Sequence, residues 1–93
     1  TIRRGNRGAE VQAYLLVSAT GASHDTLAVA LQAFPEVRVC DSVSGELDLI
    51  LQVHARDIPG IDRIRAAVAA LPGVARTRTA LVMQTRFQRG DRF

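Results

Sequence analysis

Ninety-three residues and 10.1 kDa make one domain and leave no room for a second. Hydrophobic residues at 47% and charged residues at 23% describe a globular chain, and no apolar run is long enough to span a membrane. The net charge of +3 sits at the ends: residues 1–10 and 86–93 carry +2 each and residues 11–85 sum to −1, so the body lacks the basic face a free-standing DNA reader needs.

Residues 1–10, TIRRGNRGAE, hold two glycines and no apolar period, and they read as an arm or linker. Val11, Ala13, Leu15 and Val17 then alternate with Gln12, Tyr14, Leu16 and Ser18, which predicts a strand whose second face is half apolar. A turn at Thr20-Gly21 and an N-cap at Ser23 introduce a helix carrying Leu27, Ala30, Leu31 and Phe34, stopped by Pro35. Val37, Val39, Asp41 and Val43 alternate as a second strand. Beyond the break at Ser44-Gly45, Leu47, Leu49, Leu51 and Val53 form one face of a third, with Glu46, Asp48, Ile50, Gln52 and His54 on the other.

Asp57 is a good N-cap for a second helix with Pro59 in its first turn. Ile61, Ile64, Val68 and Leu71 make its apolar stripe, and Gly73 its stop. The last strand is expected from Val74 to Arg86. Residues 31–37, LQAFPEV, match residues 68–74, VAALPGV, as two copies of a helix end, a proline stop and a strand start. The order β-α-β-β-α-β predicts an α+β, ferredoxin-like sandwich: a four-stranded antiparallel sheet with both helices on one face. Leu16 and Ile50 are then left on the uncovered face. A second copy packed sheet to sheet, forming a dimeric α/β barrel, is the expected cover.

The segment Val43-Ser44-Gly45-Glu46-Leu47-Asp48-Leu49-Ile50 carries the most chemistry. Glycine suits a hairpin turn, but an aspartate between leucines in a strand is unusual. Free amides near Gly45 could accept a carboxylate and the Asp48 carboxylate an ammonium, which together suit the head group of an amino acid; the bland alternative is a turn cap. The chain here resembles the C-terminal effector-binding and oligomerisation (RAM) domain of the Lrp/AsnC transcription regulators. The resemblance covers about residues 11–87 and rests on the element order, on VSGELDLI at 43–50, on Arg56-Asp57, and on LPGVARTRT at 71–79.

That resemblance implies sheet-paired homodimers, tetramers or octamers of dimers, and a small effector, commonly an amino acid, bound between dimers. Gly45 and Asp48 would hold its head group, with Ser44 and Glu46 in the same turn; Val43, Ile58, Ala80, Leu81 and Val82 would lie around its side chain or the subunit contact. Leu47 and Leu49 stand where relatives often place an aromatic, and Ser44 where threonine is common. The expected layout is an arm at 1–10, the domain at 11–87 and a polar tail at 88–93. The family's helix-turn-helix has no counterpart in residues 1–10, so DNA would be reached only through a part outside this chain. A cytoplasmic protein without catalytic activity, cofactor, metal or membrane contact is expected.

Two other functions remain open on the residues. A dimeric αβ-barrel enzyme, monooxygenase-like, would need a polar cavity, for which only Gln12, Tyr14, Gln52 and His54 offer groups; a ligand-free assembly scaffold would need none. His24 and His54 have no acidic or cysteine partner at metal-ligand spacing. Cys40, alternating on a strand, reads as a packing residue, and Ser42, His54 and Asp48 lack the nucleophile elbow of a triad. Arg76 and Arg78 read as a solvated edge, or more sharply as an interface salt bridge, and Arg89-Gly90-Asp91 as a chance tripeptide in the tail.

Overall fold

Alternation decides which residues go inside. In the computed structural model, which describes residues 10–20, 24–44 and 48–90, strand β1 (Val11–Ala19) buries Ala13, Leu15 and Val17 while Gln12 and Tyr14 stay exposed. Strand β3 (Leu49–Ala55) does the same with Leu49, Leu51 and Val53. Two helices cover these rows. Helix α1 (His24–Leu31) contributes Leu27 and Leu31, one turn apart, and α2 (Ile58–Ala69) contributes Ile61, Ile64 and Val68. These eleven side chains, Leu15 and Leu51 at their centre, form one continuous core, with Phe34, Val37, Cys40 and Val74 packed around it.

The sheet is antiparallel throughout and ordered β2-β3-β1-β4, where β2 is Val37–Ser42 and β4 is Val74–Leu81. The expected βαββαβ ferredoxin-like architecture is what forms. Helix α2 starts as its sequence dictates: Asp57 in an extended conformation accepts the Gly60 N–H on Oδ1 at 2.8 Å, with Pro59 in the first turn where its missing N–H costs nothing. It ends at Ala69 with Ala70 as its cap, before the expected stop at Gly73, which instead turns the chain into β4 with a φ of 91° that is open to glycine and strained for other residues. Ser23 and Gly21 lie outside the described residues.

Three further boundaries differ from expectation. Helix α1 ends at Leu31, three residues before Phe34, because Pro35 restrains the residue before it; the chain leaves through tight turns, with Phe34 N–H donating to the Leu31 carbonyl at 3.0 Å. In β2 the register shifts between Val37 and Val39, so simple alternation fails. Val37 and Cys40, instead of Val37 and Val39, pack on the core. Strand β4 stops at Leu81, five residues before Arg86. Its partner β1 begins at Val11, and the pairing runs out after Ala13–Leu81 and the Val82 N–H to the Gln12 carbonyl, 2.9 Å. Residues 82–90 continue without a ladder.

With both helices on one side, no helix or strand among the described residues covers the other sheet face. Its centre is the cross-strand pair Leu16–Ile50, both half-buried, beside the pairs Tyr14–Gln52 and Gln12–His54. No helix among the described residues is long and apolar enough to cross a membrane.

Candidate functional site

Asp48 sits at the mouth of the hairpin that joins β2 to β3, where the backbone fixes it twice: its N–H donates to the Val17 carbonyl at 3.0 Å, and its carbonyl accepts the Val43 N–H at 3.1 Å. The last β1–β3 rung is Val17–Leu49, so Ala19 lies past the ladder and its N–H needs another acceptor. Asp48 supplies it. Oδ2 accepts the Ala19 N–H at 2.7 Å, and Oδ1 lies 3.2 Å from Nε2 of His24 at the start of α1.

The carboxylate is thus a cap on the end of β1 and still about one-third exposed. The Ala19 N–H above all, and then the His24 contact, hold its carboxyl below the ordinary value. A carboxyl depressed in the folded state stabilises it fully above the ordinary carboxylate range, and the contribution is lost as pH falls through that range toward the folded value. Stability against urea is therefore expected to decline from roughly pH 5 downward, and Asp48→Asn to flatten part of that decline; a variant with the same acid slope as wild type would contradict this.

The other expected site residues fall into separate places. Val43 is half-buried and Ser44 exposed beside Asp48, whereas Gly45 and Glu46 lie outside the described residues. Ile58 and Leu81 line a small groove of about 110 Å³ together with Ile61, Asp62 and Thr79. Ala80 pairs with Tyr14 and Leu81 with Ala13, so Ala80 belongs to the open sheet face and Leu81 to the helix side. Val82 lies beyond them. Asp48 is tied to Val17 and Ala19, while these residues adjoin Ala13 and Tyr14. Four or five strand residues separate the two groups, about 15 Å along β1. One chain does not bring them together.

The fold gives each histidine an acidic neighbour. Sequence spacing gave neither an acidic partner, yet the fold pairs His24 with Asp48 and sets His54 Nδ1 3.3 Å from Glu10 Oε1, although at an angle that leaves the buried Nδ1 without a hydrogen bond. The signal for His24 was topological. Because β1 lies beside β3 and runs antiparallel to it, the residue that opens α1 is delivered to the start of β3. Among the described residues no group of three or more His, Cys, Asp or Glu side chains is arranged around a metal position. Cys40 is half-buried, and burial with the neighbouring Asp41 pushes its thiol up, away from the reactive thiolate. Gln12, Tyr14, Gln52 and His54 do share one cleft, on the open face.

The Lrp/AsnC ligand binding domain family matches residues 12–91. An uncharacterized HTH-type transcriptional regulator of Pyrococcus horikoshii is 32% identical over 76 residues, 81% of this chain and 48% of its own length; the chain thus spans about half of that curated relative. A Thermus thermophilus protein of known structure superposes with a TM-score of 0.76 at 28% identity over 84% of this chain and 99% of its own. The Mycobacterium tuberculosis feast or famine regulatory protein, complexed with L-methionine, shares the fold with a TM-score of 0.79 at 21% identity, over 97% of this chain and 63% of its own. Element order and a family match over residues 12–91 together establish that this chain belongs to the Lrp/AsnC ligand-binding domain family.

Proposed function

We propose that this chain is the effector-binding and self-associating domain of a cytoplasmic transcriptional regulator, that its effector is an amino acid, and that it acts by assembly and not by catalysis. Residues 11–87 form the domain, with 1–10 as an arm and 88–93 as a tail, and DNA is contacted through a part outside this chain. The ammonium of the effector pairs with the Asp48 carboxylate, the amides around Gly45, Ser44 and Glu46 take its carboxylate, and the side chain lies against Val43 and against Ile58, Ala80, Leu81 and Val82.

One observation carries this reading: a one-third-exposed carboxylate, its backbone immobilised on both sides, stands about 15 Å along β1 from the apolar residues that would complete the site. A second copy supplies what one chain separates. Sheet-to-sheet pairing over Leu16 and Ile50 builds the dimer, and contacts between dimers join Asp48 of one copy to Ile58 and Leu81 of another. The L-methionine in the Mycobacterium tuberculosis relative supports an amino acid as the ligand class. An effector that binds one assembly better than another shifts the population between them, and a coupling of about 1–3 kcal/mol suffices to change promoter occupancy.

Thermal unfolding with a panel of the natural amino acids tests the reading. At a hundredfold excess over Kd the bound state gains about 2.7 kcal/mol, which for a domain of this size raises Tm by roughly 10–20 °C. Light scattering on the same samples should report a change in particle mass. A panel without a single responder would leave only the assembly scaffold.

A further inference from the structure

The uncovered sheet face is apolar at its centre and carries charges of opposite sign on its two edges. The ladder registers align one residue from each strand in a single row, Asp41–Ile50–Leu16–Arg78. Directly opposed residues of an antiparallel ladder point to the same side, so all four belong to this face. Arg76 joins them, opposite Ser18 and two residues before Arg78 on β4. The row runs from a half-buried acid on the edge strand β2, across two half-buried aliphatic side chains, to an exposed arginine on the other edge strand, β4. Three strand spacings, about 14 Å, keep its two charged ends apart within one chain.

We propose that Asp41 of one copy pairs with Arg78 of a second copy, and that this ion pair, made twice per dimer, fixes which way the second copy lies on the sheet. The proposal rests on the sheet-to-sheet pairing given above and adds its orientation and the residues that choose it. Aligned sheets related by a two-fold axis have two ways to stack. An axis along the strands lays β2 of one copy over β4 of the other. An axis across the strands lays β2 over β2 and β4 over β4.

Leu16 and Ile50 meet aliphatic surface in either arrangement, so hydrophobic burial does not choose between them. Charge does. The axis across the strands brings the acid of both copies to one rim and the arginines of both copies to the other, and like charges set together disfavour that contact. The axis along the strands keeps the row at one height and reverses it, so that Ile50 lies under Leu16 and Asp41 under Arg78, with Arg76 beside it. Because a two-fold contact is isologous, both rims are matched at once. Stacked sheets lie about 10 Å apart, a gap that an arginine and an aspartate reaching toward each other can close. Such rim pairs set register and exclude the wrong arrangement more than they add affinity.

Exchanging the charges tests the proposal, with dimerisation read by analytical ultracentrifugation and hybrids by native mass spectrometry of isotope-labelled mixtures. Asp41→Arg alone and Arg78→Asp alone should each weaken the dimer about tenfold or more, since each sets like charges at both rims. The chain carrying both changes should recover it, because the pair returns with its signs exchanged. Mixed in equal amounts with wild type, that chain should form hybrids in far less than the statistical share of about half, because a hybrid sets acid on acid and arginine on arginine. The other axis predicts an excess of hybrids. Hybrids at or above the statistical share, single variants that dimerise like wild type, or a double variant that does not recover would overturn the orientation. Leu16→Asp should abolish the dimer altogether; a dimer that survives it, or a monomeric wild type, would overturn the sheet-to-sheet pairing and the orientation with it.

Discussion

Leu15→Ala is expected to bring the domain close to its limit of stability. Leu15 is fully buried at the centre of β1, opposite Leu51 on one side and Thr79 on the other, beneath the stripes of both helices. Truncation removes its transfer energy and leaves a cavity that a rigid central strand closes poorly, at a cost of about 2–5 kcal/mol. Small domains hold about 5–15 kcal/mol in total, so Tm should fall by about 10 °C or more. The neighbouring Leu16→Ala makes the control. Leu16 is half-buried on the open face, so its loss should cost the isolated chain much less and weaken self-association instead. Equal and small losses from both, in urea titrations at low protein concentration, would show that the helix side is not where the core lies.

The second large effect concerns the effector. Asp48→Ala removes the only carboxylate among the proposed head-group contacts that the structure describes, and the thermal response to every amino acid should vanish. The alanine variant also deprives the Ala19 N–H of its acceptor, so a lost response could reflect a frayed β1 end. Asp48→Asn separates the two: its carboxamide oxygen can still accept the Ala19 N–H, but it has no charge for an ammonium. The reading expects both variants to be silent. An Asn variant that still responds would assign Asp48 to capping alone. His24 adds a sign, since its ring lies 3.2 Å from the oxygen an ammonium would use. His24→Ala, by removing that competitor, should strengthen the response.

Much of this was legible beforehand, and the exceptions have physical causes. The inward rows of β1 and β3 and the Asp57 cap are local properties, readable from period and side-chain chemistry. The bulge in β2 was not legible, because Val37, Val39 and Asp41 alternate regardless of which of them the partner strand admits. Nor was the end of β4: Val82, Gln84 and Arg86 keep the strand period, but β1 begins at Val11, so beyond Val82 and its bond to Gln12 the residues from Gln84 on have no β1 residue opposite them. At the site, Asp48 stood out as an acid in a strand. Its partners did not, since Ala19 and His24 lie 29 and 24 residues away and meet it only through the sheet order.

The central claim is that the effector site is shared between copies, and subunit mixing tests it most directly. Asp48→Ala lacks the acid and Leu81→Asp spoils the apolar side, so each protein alone should give no thermal or calorimetric response to a responding amino acid. Dissociated together and reassembled in equal amounts, the two should regain binding at about one site in four, wherever a Leu81→Asp copy offers Asp48 to an Asp48→Ala copy that offers Leu81. A mixture as silent as its components would mean that the acid and the apolar residues never meet across a subunit boundary.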